Sequence, residues 1–243
     1  MPERKFGIVA RMEIPDLRLY LLDISQPLLS EGFKHAADVF CNQHGVSYFA
    51  MQANFHHMER YPQLHYTPER SHRRRLVSML GGTIGNLDNE LKFFKYNLVG
   101  CHSGDLLLMD FQLAYASTTE PDAIRRCDPL LSGAKPQGHR SREEWLGSAI
   151  WRHCRDVTDV TFHYELLTNS AVPGSYSVEI VATVLGRVRE PRRFSLFRFR
   201  RYDAVQLATC LSGLGWEQVA DYPRSYPHGG GDCTMIFRKR NKP

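Results

Sequence analysis

The chain has no Cys-x-x-Cys pair, no Gly-Lys-Ser/Thr phosphate loop, no internal repeat and no low-complexity segment. Nor does any stretch approach the roughly 20 apolar residues that a membrane-spanning helix needs. Each absence removes a class. With no signal-peptide pattern, the scattered Cys41, Cys101, Cys127, Cys154, Cys210 and Cys233 read as reduced thiols of a cytoplasmic protein. Broken apolar runs exclude a membrane partner. A large excess of charge of one sign is also lacking: the formal net charge is +5, with arginines clustered at Arg73 to Arg75 and from Arg192 to Arg201. Such clusters permit a nucleic-acid partner, yet no recognised nucleic-acid motif accompanies them.

The 243 residues suffice for one domain with an elaboration, and a composition of 42% hydrophobic and 23% charged residues is that of a compact globular chain. From Leu17 onward, short apolar runs ending in polar loops alternate with amphipathic stretches. That alternation predicts a parallel sheet covered by helices. Strands are expected at Leu19 to Leu22, Val46 to Met51, Leu76 to Leu80 and Asp105 to Met109. Helices are expected after Ser25-Gln26-Pro27 and from about Asn89 to Leu98. After Leu113 the pattern changes. A Pro, Asp, Ser and Gly-rich stretch runs from Ser117 to Gln137, followed by a helix from about Arg142 to His153. Three half-buried antiparallel strands then span Val157 to Leu167, Ser175 to Leu185 and Arg193 to Arg200, with Pro173-Gly174 as a turn. A helix from Ala204 to Leu214 and a strand near Thr234 to Phe237 close the chain.

In open parallel sheets ligands bind outside the carboxyl ends of the strands, so Asp23, Asn54, Gly81 to Asn86 and Asp110 are expected on one edge. Asp23 is a carboxylate at a strand tip. It suits the two hydroxyls of a ribose, or else acts as a turn or cap residue. Gly81-Gly82-Thr83-Ile84-Gly85-Asn86 is either a tight strand-to-helix turn or a loop that lets a ligand approach the backbone closely. Asn86 at its end offers both a donor and an acceptor.

Taken in order, Leu21-Leu22-Asp23-Ile24-Ser25, Ala53-Asn54-Phe55, Leu80-Gly81-Gly82-Thr83-Ile84-Gly85-Asn86 and Gly104-Asp105-Leu106-Leu107-Leu108 resemble the histidine-specific methyltransferases of ergothioneine and related pathways. The resemblance is strong from Leu17 to Asp110 and loose beyond. It implies a class I, Rossmann-like α/β fold with S-adenosyl-L-methionine as cofactor. Residues 1–116 would form the core, incomplete at its N-terminus. Residues 117–200 would be a cap with antiparallel strands, and residues 201–243 a helix and strand completing the core. Asp23 with Ser25 would hold the ribose, and Asn54 and Phe55 the adenine. Gly81 and Gly82 would lie beside the bound ligands, with Asn86 contacting a small amino-acid-like substrate.

Three departures qualify the resemblance. The first strand and Gly-x-Gly loop of class I enzymes have no counterpart. The link from Glu13 to Asp16 is too short for a parallel crossover, which takes about a dozen residues, so Phe6 to Met12 cannot replace the missing unit. Secondly, where the family carries Glu-x-Ser before a Lys-Phe or Lys-Tyr pair, this chain has Phe197 and Phe199 before Arg201-Tyr202. The expected acceptor is therefore less polar than histidine. Thirdly, a tyrosine the family uses against the substrate is lacking near Ile124. A missing central strand would leave its two neighbours with bare edges, so a second copy or a partner chain covering them is the expected association, and a non-catalytic subunit the alternative function. His56, His57 and His65 lack the further ligands of a zinc site, so no metal is expected. Arg198 and Arg200, alternating with Phe197 and Phe199, are expected to point to solvent from an amphipathic strand. Gly229 to Gly231 are expected to form a hairpin turn.

Overall fold

The computed structural model describes residues 2–11, 17–61, 64, 74–98, 100–116, 118–133, 139–154, 156–187, 190–226 and 230–240. Arg73, His65, Gly229 and the link at 13–16 lie outside them. The chain divides into two compact units, Met1–Thr67 and Pro68–Pro243. Both the expected cap at 117–200 and the expected closing segment at 201–243 fall within the second.

In the first unit, α1 (Pro2–Arg11) takes up the apolar run around Phe6 as a helix. β1 (Leu17–Asp23) and β2 (Val46–Gln52) pair in parallel, in register from Leu17 opposite Val46 to Asp23 opposite Gln52. The crossover between them is α2 (Gln26–Phe40), which starts at Ser25 with Pro27 in its first turn, where a missing N–H costs nothing. α2 buries Leu29, Ala36 and Phe40 and sets Phe33 against Tyr48 of β2. Phe6 meets Phe40 edge-on, at 6.4 Å between ring centroids, so α1 lies on α2. A 3-10 segment, Phe55–Arg60, follows β2.

The second unit contains β3 (Leu76–Met79), α3 (Glu90–Tyr96), β4 (Leu106–Leu113), α4 (Pro121–Cys127) and α5 (His139–His153). It continues with β5 (Val157–Leu167), β6 (Tyr176–Gly186), β7 (Arg192–Tyr202), α6 (Ala204–Gly213), β8 (Trp216–Ser225) and β9 (Gly231–Lys239). Its sheet runs β5-β6-β7-β4-β9-β8, with β3 also on β4. The fold is thus α/β and Rossmann-like in its parallel strand pairs, with an antiparallel elaboration in the second half.

β4 organises this sheet. Leu107, Met109 and Phe111 are buried along it, and β9 runs antiparallel to its whole length. Its other edge is shared. β3 lies parallel to the first half, from Leu76 opposite Leu106 to Met79 opposite Met109, while β7 reaches only the last two residues, Gln112 and Leu113. The sheet therefore forks where β7 parts from β4 to join β6 and β5. Within that branch Ile180 faces Phe197 but Val181 faces Ser195, so Leu196 is the extra residue of a β-bulge. Leu196 packs with Ile150, Ala182 and Val184 beneath α5.

Among the described residues β1 pairs with β2 alone and β3 with β4 alone, so each leaves one edge bare. All six cysteines are free thiols, and no helix of the described residues is long and apolar enough to cross a membrane.

Candidate functional site

The candidate residues fall into two groups, one in each unit. In the first, parallel pairing brings the ends of β1 and β2 together. The Asp23 carbonyl accepts from the Ala53 amide at 3.0 Å, and Gln52 Nε2 donates to the Ile24 carbonyl at 3.2 Å. Asp23, Ser25, Gln52, Asn54 and Phe55 thereby share one edge. The Asp23 carboxylate accepts from the Ser25 amide at 2.7 Å through Oδ1, so it does serve the turn. Asn54 Oδ1 accepts from the His56 amide at 3.0 Å and caps the 3-10 segment, whose first residue, Phe55, stacks on His56 at 4.7 Å. Gln52 was not singled out by sequence. Its signal is a lone polar residue ending an apolar strand.

In the second unit, β3 runs into Gly81 and Gly82, with φ of +75° and +72°, and then a 3-10 turn, Thr83–Asn86. Side chains other than glycine avoid that left-handed region, and a Cβ added at either glycine would meet nothing within 4 Å. Backbone and open space therefore face each other here. The turn is tied down on several sides. Gly82 N donates to Asp110 Oδ1 at 2.8 Å, Thr83 Oγ1 to the Leu80 carbonyl at 2.5 Å, and Gly85 N to the Gly82 carbonyl at 2.9 Å.

Beside the turn, between it and strands β6 and β7, lies a cavity of about 330 Å³ lined by Gly85, Asn86, Leu87, Asp88, Glu179, Ser195, Leu196, Phe197 and Arg198. It brings together Asn86 and Phe197, which are more than a hundred residues apart in sequence. Phe199 plays a different part. Its ring lies 4.7 Å from that of Phe197 and packs on the cluster of Ile124, Leu130, Tyr176 and Val178, supporting Phe197 from behind. Glu179 of β6 ties that strand to β7, its carboxylate accepting from Ser195 Oγ at 2.8 Å and Arg198 Nη2 at 3.2 Å.

The expectation that Arg198 and Arg200 both face solvent holds only for Arg198. Arg200 is buried, pairs with Glu90, and donates from Nη1 to the Leu87 carbonyl at 2.8 Å and from Nε to Ser177 Oγ at 3.2 Å. Alternation predicted the face, but not that α3 and the glycine turn cover its inner end. The Tyr202 hydroxyl sits 2.6 Å from Glu90 Oε1 and 3.1 Å from the Ile84 carbonyl. Burial opposes the Arg200 charge, but the Glu90 carboxylate and Tyr202 outweigh it and hold its pKa above the ordinary arginine value. Burial, then the Glu90 charge, pushes Tyr202 far above the tyrosine range, so it remains a hydroxyl. Next along β7, Arg201 Nε donates to the buried Asp128 Oδ2 at 2.5 Å, which also accepts from Tyr176 at 2.9 Å. Among the described residues, no cluster of three or more His, Cys, Asp or Glu suits a metal ion.

No family model matches the sequence, and no curated protein matches it. Among solved structures, the chain is similar to an S-adenosylmethionine-dependent methyltransferase from Clostridium acetobutylicum, at 12% identity and TM-score 0.42, covering 93% of this chain and 76% of that one. It is also similar to the CcbJ methyltransferase from Streptomyces caelestis, at 12% identity and TM-score 0.45, covering 98% and 95%. A third is the 1,6-didemethyltoxoflavin-N1-methyltransferase from Burkholderia thailandensis, at 9% identity and TM-score 0.40, covering 99% and 79%. At these identities, and with TM-scores below 0.5, family membership does not follow.

Proposed function

We propose that the chain is an S-adenosyl-L-methionine-dependent methyltransferase acting on a small amino-acid-like acceptor other than free histidine. The observation that carries this is the placement of the motif residues at strand ends. Asp23, Ser25, Asn54 and Phe55 gather at the carboxyl ends of one parallel pair, and Gly81, Gly82 and Asn86 follow the carboxyl end of another strand, β3. Each unit taken by itself fits a part of such a group: in the first, a strand-tip carboxylate suits ribose hydroxyls and an aromatic ring with an amide suits adenine; in the second, two glycines leave open backbone. Their methionine-binding counterpart is lacking among the described residues.

When bound, the sulfonium supplies the reactive methyl group. The chain's own residues then bind and orient, and no acid or base is needed. Asn86 offers its amide to the acceptor, and the half-exposed Phe197 gives it an apolar wall. Holding two reactants in a near-attack geometry is worth several powers of ten in rate. Calorimetry with S-adenosylhomocysteine tests the cofactor: micromolar binding by this chain, weakened about tenfold or more by Asp23→Ala, is expected. A panel of free amino acids tests the acceptor, and tight binding of histidine would overturn that part.

A second reading is favoured by the bare edges of β1 and β3. On it, the chain is a non-catalytic methyltransferase-like subunit whose open strands associate with a partner chain or a second copy. Unpaired N–H and C=O rows invite such pairing, and from Leu19 to Leu22 β1 carries no charged residue on either face, as interior parallel strands do not, although Arg18 before that run is exposed. Absence of S-adenosylhomocysteine binding, together with a dimer by light scattering, would favour it.

A further inference from the structure

Three buried side chains beneath the glycine turn have no part in binding or chemistry as proposed. Glu90 opens α3, while Arg200 and Tyr202 stand two residues apart on β7, and none of the three is more than 8% exposed. Two of them reach the turn or its immediate continuation, and Glu90 joins those two. Tyr202 shares its single proton between the Ile84 carbonyl and Glu90, and Arg200 donates to the Leu87 carbonyl. The backbone of Gly85 lies directly on Arg200, since a Cβ placed there would come within 3.4 Å of Arg200 Cβ. A four-residue 3-10 turn closes few bonds of its own and has poor hydrogen-bond geometry. Its shape is therefore set from below.

A stability role alone does not explain this choice of side chains. Replacing a buried ion pair by well-packed apolar residues of similar volume is often neutral or stabilising, and in some proteins such a pair is retained because it fixes a geometry. Among the described residues, Glu90 Oε2 has no hydrogen-bond partner. We infer that Glu90, Arg200 and Tyr202 are positioning residues for the ligand site, holding the Gly82 to Asn86 turn at the cavity. The opposite wall, Phe197 and Arg198, belongs to the same strand as Arg200 and Tyr202. One strand therefore registers both walls against each other. The identity of the ligand rests on the methyl-transfer reading, whereas the mechanical role does not.

The test uses the full chain with two variants. Tyr202→Phe removes only the shared hydroxyl. Phe111→Leu disturbs the same packing, because Phe111 meets Tyr202 edge-on at 5.5 Å, but it breaks no bond to the turn. Hydrogen exchange is read at the Gly85 and Leu87 amides, which donate within the turn, and at Met235 and Phe237 in β9 as reference. Expected is an acceleration of about tenfold at Gly85 and Leu87 in Tyr202→Phe alone, with the β9 amides unchanged. S-adenosylhomocysteine affinity, measured well below the melting temperature, should fall about tenfold in Tyr202→Phe and not in Phe111→Leu. Unchanged exchange in Tyr202→Phe, or an equal change in both variants, overturns the assignment. If the wild-type chain binds no S-adenosylhomocysteine, the methyl-transfer reading fails and the exchange comparison alone decides the positioning role. Should Tyr202→Phe not fold, Arg200→Lys reads the same amides, because lysine keeps the charge but loses the fork that reaches Leu87 and Ser177 together.

Discussion

The first and second units are built from the same ingredient, a parallel strand pair, and differ in what surrounds it. β1 and β2 stand as two strands with helices attached, and every apolar residue of β1 remains partly exposed. β3 and β4 belong to a seven-stranded sheet in which alternate residues of β4 are fully buried. Exposure of Phe49 in β2 is 46%, against 0% for Phe237 in β9. The lesson is that apolar sequence makes a strand, while burial needs neighbours on both sides. Two strands alone bury too little to be stable and need further strands or a packed helix, and in the first unit α2 is what covers them.

This contrast can be broken or sharpened. Amides of β1 and β2 should exchange on the order of 1000-fold faster than those of β4 and β9, because local opening follows local packing. Equal protection at the working concentration would mean that the bare edge of β1 is covered by another chain. Next, Phe237→Ala should cost about 4 kcal/mol in urea denaturation through cavity formation. Phe49→Ala should cost under about 1 kcal/mol, since its ring is already half in water. Gly82→Ala should cost about 1–2 kcal/mol, because alanine is strained at φ +72°. A variant as stable as wild type would show that the turn has relaxed. The smallest effect concerns thiols. Burial pushes Cys101 and Cys233 above the ordinary thiol pKa, which leaves less reactive thiolate at pH 8. Iodoacetamide should therefore label the exposed Cys41 and Cys127 first, and mass spectrometry of timed digests reads the order.

Much of the fold was legible because local signals agreed. Ser25 before Pro27 and the stripe from Leu28 to Phe40 announced α2, and the alternation of Val160, Phe162, Tyr164 and Leu166 announced β5. β8 was not foreseen. It carries Pro223, which argues against an interior strand, and an edge position is what makes that proline acceptable. α4 was hidden in a stretch rich in turn formers, where Glu120 accepts from the Ala123 amide as its cap and Pro121 fills the first turn. At the site, strand tips and glycines were visible because their chemistry is local. The covered end of β7 was not, since what buries Arg200 comes from α3 and the glycine turn, over a hundred residues earlier. The bulge at Leu196 likewise leaves no mark in composition.

The fork where β7 leaves β4 separates two kinds of change that a lineage can make. The cavity beside it is shaped by the backbones of the glycine turn, β6 and β7, while Asn86, Asp88, Ser195, Phe197 and Arg198, which furnish it, are all exposed. Replacing exposed side chains typically alters stability by no more than about 0.5 kcal/mol. What the cavity accepts can therefore drift by single substitutions while the fork, the turn and the strands beneath stay as they are.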